Sequence, residues 1–112
     1  MNFNYSPYND DYNADNNHYK VLFKPGQYVL REGQMLESPG LIKAGLAMVG
    51  QRGLDGEDKS LALLGRGYLI GVRSLVNDSS PFWVKALTGL TLCQPPKDKW
   101  GHASEAVIRD AL

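Results

Sequence analysis

The residues best suited to chemistry lie between positions 67 and 87, in the stretch GYLIGVRSLVNDSSPFWVKAL. Gly71, Arg73 and Ser74 have the layout of a loop that holds a phosphate group between two strands. In such a loop the backbone amides at the start of a short helix and an arginine side chain bind the anion together. The stretch is therefore a candidate ligand-binding site, and we predict that the protein is not an enzyme.

Arg73 and the aromatic pair Phe82–Trp83 each allow two interpretations. Arg73 either holds an anion beside the amides of its neighbours, or it pairs with an acid such as Asp78 or points to solvent. Phe82 and Trp83 either line an apolar pocket for a carbon-rich ligand or fill the space that a ligand would occupy. In both cases we favour the interpretation without a ligand.

The composition limits the class of protein. A chain of 112 residues is long enough for one domain with a hydrophobic core and too short for two domains of ordinary size. Twelve basic and twelve acidic residues balance, so the chain as a whole has no net charge that would attract it to nucleic acid or to an anionic membrane. Any contact with DNA must come from a local patch or from parts outside this chain.

Cysteine and histidine usage argues against a metal site. The single cysteine, Cys93, lies in an apolar run, which excludes an internal disulfide and a thiolate cluster for zinc or iron–sulfur. We predict that it is a buried small hydrophobic residue. His18 and His102 lie outside the predicted strands, whereas a metal-dependent enzyme of the cupin class needs several histidines and a carboxylate inside its barrel. A haem-based gas sensor is disfavoured on the same grounds, and we predict no cofactor.

Targeting signals are not evident in the sequence pattern. No basic region followed by an apolar stretch opens the chain, and no apolar run approaches the roughly 18 residues of a membrane span. We therefore predict a cytoplasmic protein without membrane contact.

Three segments differ in their sequence texture. Residues 1–18 are rich in Asn and Tyr and show no helical or strand period, which predicts a flexible arm. Residues 19–95 consist of short β-rich pieces separated by glycine, which predict a mainly β sandwich or barrel. Residues 96–112 change to a helical period and predict the beginning of a helix.

Within the middle segment, Asp55–Gly56 predicts a tight hairpin turn, because both residues accept positive φ angles. The apolar runs at 41–49 and 59–64 flank this turn. Further strands are predicted at about 68–71, 82–88 and 90–94. After them, the residues up to Trp100 predict one helical turn that packs this tryptophan against the barrel.

The order and spacing of the glycines resemble those of the cyclic-nucleotide-binding domain of the Crp/Fnr family of transcriptional regulators. The resemblance lies in FKPGQYVLREG at 23–33, LIKAGLAMV at 41–49, the Asp-Gly hairpin and LALLGRGYLIG at 61–71. It extends over most of the chain, from Tyr19 to Leu112. The resemblance implies a double-stranded β-helix (jelly-roll) barrel of the cyclic-nucleotide-binding type, with short flanking helices and the start of a C-terminal dimerisation helix.

The resemblance also implies a ligand cradle, from which this chain departs. Nucleotide-binding members begin the cradle with Gly-Glu, continue with a small residue and a leucine, and place an arginine about ten positions on that pairs with the cyclic phosphate. Gly71 matches the glycine, Ser74–Leu75 match the small residue and leucine, and Val84 lies in the strand that follows. Val72 stands where the glutamate that accepts the ribose hydroxyl is expected, and residues 79–82 contain no arginine.

We therefore predict the effector-sensing and dimerisation domain of a Crp/Fnr-like regulator whose degenerate cradle does not bind cAMP or cGMP. The resemblance implies a homodimer through the C-terminal helix, a small-molecule effector, and DNA contact only through a helix-turn-helix that this chain does not include. A stand-alone scaffold for protein association and a sensor of a different anionic or aromatic ligand are the alternatives. The cradle residues are Gly71, Val72, Arg73, Ser74, Leu75, Phe82, Trp83 and Val84.

Overall fold

The computed structural model describes residues 19–100 of the chain. These residues form eight β-strands and short 3-10 helices, which confirms the predicted mainly β class. The predicted arm at 1–18 and the predicted helix beyond Trp100 lie outside the described residues. The strands are β1 Lys20–Phe23, β2 Tyr28–Leu30, β3 Gly40–Ala44, β4 Ala47–Arg52, β5 Asp58–Leu64, β6 Leu69–Ile70, β7 Trp83–Ala86 and β8 Leu90–Cys93, and the 3-10 helices are η1 Val72–Val76 and η2 Lys97–Trp100.

The strands form two antiparallel sheets of four strands each. The strand orders are β1-β8-β3-β6 in the first sheet and β2-β7-β4-β5 in the second. Among the described strands, β4 and β5 are the only consecutive pair within one sheet, and every other connection carries the chain from one sheet to the other. This winding confirms the predicted jelly-roll barrel.

The apolar run at 41–49 is divided between the two sheets, a feature that its sequence pattern does not predict. The division falls at Gly45, whose φ is 94° and where an added Cβ would lie 2.1 Å from the carbonyl oxygen of Gly89. Only glycine allows this close approach of two chain segments. The predicted hairpin is confirmed between β4 and β5. Its loop is longer than the predicted tight turn, because residues 53–57 separate the paired Arg52 and Asp58, and of Asp55–Gly56 only Gly56 has a positive φ, at 83°. The Gly53 amide closes the loop by donating to the Glu57 carbonyl at 2.7 Å.

The core fills the space between the sheets, because alternate residues of each strand point inward. Each fully buried aliphatic side chain contributes about 1.5–3 kcal/mol relative to exposure. The main cluster consists of Val29, Leu30, Ile42, Ala47, Val49, Leu64, Ile70, Val84, Ala86, Leu90 and Leu92. A second cluster of Leu41, Cys93 and Trp100 confirms the predicted burial of the cysteine and the packing of the tryptophan.

The connection from β6 to β7 positions the candidate site. Strand β6 belongs to the first sheet and β7 to the second, so η1 and the loop after it bridge the two sheets. Backbone hydrogen bonds fix the end of this bridge: the Ser80 amide donates to the Gln34 carbonyl, and the Gly33 amide donates to the Ser80 carbonyl, both at 2.8 Å. The bridge is therefore attached to the turn that follows β2.

Candidate functional site

Helix η1 lies between two residues with left-handed backbone. Gly71 has a φ of 77° before the helix and Asn77 a φ of 55° after it. A Cβ at position 71 would also lie 2.6 Å from Cδ1 of Leu36, so both the backbone angle and the neighbouring side chain require glycine there. The Ser74 amide donates to the Gly71 carbonyl at 3.0 Å and the Asn77 amide to the Ser74 carbonyl at 3.1 Å. The frame of a cradle is therefore present.

Val72 occupies the first position of this frame, where the resemblance implies a glutamate. Its side chain is buried, with 5% of its surface exposed, and it has no hydrogen-bond acceptor. A sugar hydroxyl placed against it would remain unpaired, which costs about 1–3 kcal/mol. The position therefore favours apolar over polar contacts.

Arg73 is bound within its own loop. Its guanidinium forms an ion pair with the Asp78 carboxylate, and its Nε donates to the Ser79 carbonyl at 3.1 Å. Asp78 in turn accepts a hydrogen bond from the Ser79 amide at 3.0 Å. The structure thus places Arg73 in the pairing with Asp78 that the sequence allowed as one of two interpretations, and the guanidinium closes the loop after η1.

Ser74 and Leu75 attach η1 to the rest of the domain. Ser74 is 1% exposed, and its Oγ has no hydrogen-bond partner among the described residues. Leu75 is half-buried and packs against the second cluster of Leu41, Cys93 and Trp100. The small–Leu pair of the sequence pattern therefore has a packing role in this structure.

Phe82 and Val84 point inward and line a cavity between the sheets. The remaining lining residues are Leu30, Leu64, Leu69, Ile70, Gly71 and Ser80. The cavity measures about 10 Å³, which is room for about one water molecule, whereas pockets for organic ligands measure about 300–1,000 Å³. Ser80 fixes the Phe82 backbone, because its Oγ donates to the Phe82 carbonyl at 2.7 Å and accepts from the Phe82 amide at 3.1 Å.

Trp83 points away from this cavity, to the outer face of the second sheet. Its ring meets that of Tyr28 edge-on, with centroids 6.1 Å apart. It also covers Gly50, where an added Cβ would lie 2.0 Å from Cζ2 of the indole. The indole Nε1 is buried without a hydrogen-bond partner among the described residues.

The structure does not bring the predicted site residues together at one site. Val72, Ser74 and Leu75 are packed within η1 and against the second cluster. Gly71, Phe82 and Val84 meet at the inner cavity. Arg73 faces its own loop, and Trp83 faces the opposite side of β7. The cavity that remains is closed, apolar and far smaller than an organic ligand.

A second surface feature, which sequence reasoning missed, lies on the outer face of the second sheet. We call it the outer groove; it has a volume of about 200 Å³ and is lined by Tyr28, Arg31, Glu32, Arg52, Asp58 and Trp83. The pairing of β2 with β7 and of β4 with β5 brings these residues together. The available signal was the alternation of Tyr28 with the apolar Val29, which places Tyr28 on the face opposite to the core. The bulge between Tyr28 and Leu30 allows Leu30 to face the core as well.

Two cations lie over the aromatic residues of the outer groove. The Arg31 guanidinium lies 3.9 Å from the Tyr28 ring centroid, and the Lys85 ammonium lies 5.5 Å from Tyr28 and 6.0 Å from Trp83. Arg52 is held at the far side, with its Nε 3.5 Å from an Asp58 carboxylate oxygen. The groove therefore combines aromatic surface with positive charge.

Residues 19–100 show neither a metal-binding cluster nor a membrane-spanning helix. This part of the chain contains no group of three or more His, Cys, Asp or Glu side chains arranged to hold a metal ion. No helix within it is long and apolar enough to cross a membrane. Burial raises the pKa of the Cys93 thiol above its ordinary value of 9.0, although Lys43 and Lys20 lower it in part.

Comparisons with known proteins agree with this architecture. A family model described as the cyclic nucleotide-binding domain matches residues 20–105. No curated protein matches the chain.

Several solved structures are similar to this chain. One is the regulatory subunit of a cAMP-independent protein kinase A from Trypanosoma brucei. That structure is of a triple mutant, which includes a threonine-to-arginine change and is bound to cAMP. It has 26% identity and a TM-score of 0.63, over 70% of this chain and 29% of its own. Two more share the fold. The catabolite activator protein of Thermus thermophilus has 23% identity and a TM-score of 0.69, over 93% of this chain and 47% of its own. The N-terminal domain of a transcriptional regulator from Streptomyces coelicolor has 24% identity and a TM-score of 0.66, over 72% and 59%. The chain thus corresponds to between about a quarter and three fifths of the length of these proteins.

Proposed function

This chain belongs to the cyclic nucleotide-binding domain family, and from that membership we propose that it is the effector-sensing domain of a transcriptional regulator that does not respond to cAMP or cGMP. Residues 19–95 are the sensing barrel, and residues 96–112 begin a helix that joins two copies. Any contact with DNA would be made by a helix-turn-helix outside this chain. The domain acts by binding, without catalysis, in the cytoplasm. The shared fold with a transcriptional regulator and a catabolite activator protein supports the regulatory role.

The closed cradle carries the proposal that cyclic nucleotides do not bind. Phe82 and Val84 occupy the space between the sheets and leave about 10 Å³. Arg73, the only cation in η1, is paired with Asp78. A cyclic nucleotide would therefore have to displace an aromatic ring and break an ion pair before it made a contact of its own.

The loss of affinity is large enough to measure. A charge-assisted phosphate contact and a hydroxyl contact contribute about 1.5–3 kcal/mol each. Without both, the binding free energy falls by about 3–6 kcal/mol, and a site of about 1 μM weakens to between about 0.2 and 25 mM.

The trypanosome regulatory subunit provides a parallel. That protein is described as cAMP-independent, and the form bound to cAMP carries a substitution that introduces an arginine. We infer that in the present chain, too, the fold is kept but cyclic nucleotides are not bound, because residues 79–82 contain no arginine.

Thermal unfolding with cAMP and cGMP tests the proposal. With about 1 mM ligand, a dissociation constant of 1 mM adds about 0.4 kcal/mol to the free energy of unfolding, whereas one of 1 μM adds about 4 kcal/mol. For a domain of this size these values correspond to shifts in Tm below about 3 °C and above about 15 °C. We expect the smaller value for both nucleotides, and a shift near the larger value would refute the proposal.

A pair of variants identifies the cause. Asp78→Asn releases Arg73 but leaves Phe82 in the cavity, so we expect no gain of response to cAMP. Glu57→Gln, in the β4–β5 loop, removes the same charge from an exposed position outside the cradle and serves as the matched control. If Asp78→Asn alone produced a large nucleotide-dependent shift, the filled cavity would not be the barrier.

A further inference from the structure

The outer groove lies on the face of β7 opposite to the inner cavity, and it is independent of the proposed sensing site. Along β7, Phe82 and Val84 point into the barrel while Trp83 and Lys85 point outward. A ligand at the groove therefore contacts a different set of side chains from those that line the cavity.

The groove presents cations without carboxylate partners. Arg31 contacts the Tyr28 ring at 3.9 Å, and Lys85 lies over both aromatic rings. Within residues 19–100 neither of these side chains has an ion-pair partner, since the salt bridges there join Arg52 to Asp58 and Arg73 to Asp78. The lining also contains two carboxylates, but Glu32 accepts from the Arg52 backbone amide and Asp58 pairs with the Arg52 side chain. Arg31 and Lys85 are therefore the charges left for an anionic occupant.

The face around the groove is also apolar. The register places Tyr28 beside Lys85, Lys85 beside Met48, and Met48 beside Leu63, in a row across the sheet. Leu63 has 57% of its surface exposed. Aromatic side chains of an occupant would cover this row, since aromatic residues and arginine together are enriched in protein interfaces.

The charges of this chain are unevenly distributed along the sequence. Residues 19–100 carry eleven Lys and Arg and seven Asp and Glu, a net charge of +4. Residues 1–18 carry three Asp and no Lys or Arg, together with Phe3 and three tyrosines. The net charge of the chain is therefore zero although residues 1–18 are acidic and aromatic and residues 19–100 are basic.

We propose that the outer groove binds residues 1–18 of its own chain. The carboxylates of Asp10 and Asp11 would supply the negative charge for Arg31 and Lys85, and the tyrosines would supply aromatic surface for the apolar row. Eighteen extended residues reach up to about 60 Å, which exceeds the longest dimension of the described part, 44 Å. Because the segment is tethered, its effective concentration is of millimolar order, and weak contacts suffice to keep it bound.

A spin label on the segment tests the proposal in the full chain. The variant Ser6→Cys is labelled with a nitroxide, and paramagnetic broadening is measured on ¹⁵N-labelled protein. Cys93 does not compete for the label, because it is buried. We expect the indole N–H signal of Trp83 to lose most of its intensity, while that of Trp100, which donates to Pro95 in the second cluster, retains it.

Charge variants separate specific docking from random contact. Arg31→Gln and the triple variant Asp10→Asn, Asp11→Asn, Asp15→Asn should each restore most of the Trp83 signal. Arg66→Gln removes an exposed cation outside the groove and should not restore it. Raising the salt from about 0.1 M to about 1 M shortens the Debye length from about 10 Å to about 3 Å and should restore the signal partly.

Three outcomes would overturn the proposal. One is equal broadening of both indole signals, and another is broadening of Trp83 that neither charge variant changes. The third comes from a mixture of two protein samples. One carries the nitroxide but no ¹⁵N, and the other is ¹⁵N-labelled but carries no nitroxide. Broadening of Trp83 in that mixture would mean that the segment occupies the groove of a second copy.

Discussion

Replacing Phe82 with alanine should open the closed cavity and destabilise the domain by about 2 kcal/mol. A fully buried Phe→Ala change costs about 3–5 kcal/mol, because apolar contacts are lost and a void remains. Phe82 is half-buried, so part of its ring already contacts solvent and the cost is lower. Its neighbours Leu30, Leu64 and Val84 belong to the main core, so we expect them to close the void only in part.

Urea unfolding followed by circular dichroism measures the free energy of unfolding of Phe82→Ala. In thermal unfolding, the Tm of this variant should fall by about 8–16 °C. Phe82→Leu keeps an apolar side chain of similar position and should cost less than about 1.5 kcal/mol. Leu22→Ala, at a side chain that is 74% exposed, should change stability by no more than about 0.5 kcal/mol. A loss below about 0.5 kcal/mol for Phe82→Ala would show that this ring does not fill the barrel, and the interpretation of the closed cradle would fail.

Three further predictions follow from backbone geometry and burial. Gly71→Ala places a side chain at a φ of 77° and 2.6 Å from a leucine methyl group, whereas Gly26→Ala has a φ of 86° and no atom within 4 Å. Both variants should lose about 1 kcal/mol of unfolding free energy because of the left-handed backbone. Urea unfolding should show an additional loss for Gly71→Ala alone. Gly50→Ala forces the Trp83 ring to move, because the new Cβ would lie 2.0 Å from it. The variant should lose about 1–3 kcal/mol of unfolding free energy and change its tryptophan emission. Unchanged emission would contradict this packing. The pKa of the Cys93 thiol is raised in the folded state, so this thiol ionises at a lower pH in the unfolded chain than in the folded one. Its contribution to stability is fully present below pH 9.0 and is lost as the pH rises through the higher folded pKa. Cys93→Ala should remove this decrease, and a decrease of the same size in the variant would refute the assignment.

The glycines made much of the fold predictable from the sequence. Gly56 marked the β4–β5 hairpin, and the spacing of the others predicted short strands in a jelly roll. The division of the run at 41–49 was not predictable in the same way. It depends on the approach of Gly45 to Gly89, two residues that are distant in sequence, and a local pattern does not contain that contact.

The candidate site was predictable in part. The position of Val72 and the absence of an arginine from residues 79–82 are properties of the sequence alone. The opposite orientations of Phe82 and Trp83 follow from strand alternation, so the sequence contained this information although both residues were assigned to the cradle. The ion pair of Arg73 with Asp78 was one of two interpretations, and the two residues meet across the left-handed turn at Asn77, where the Asp78 amide also donates to the Arg73 carbonyl at 3.0 Å.

Strand β7 connects the two surfaces of this domain, since its alternate residues form the wall of the inner cavity and the floor of the outer groove. Movement of Phe82 to admit a ligand would move the backbone of Trp83 and therefore the ring that covers Gly50. A Cβ at Gly50 would lie 2.0 Å from the ring, so the ring packs on the Gly50 backbone and would shift toward the groove. We therefore expect tryptophan emission to respond to any ligand that enters the inner cavity, and an occupant of the groove to oppose that entry. If a ligand raised the Tm without any change in Trp83 emission, the two faces of β7 would be independent and this coupling would be refuted.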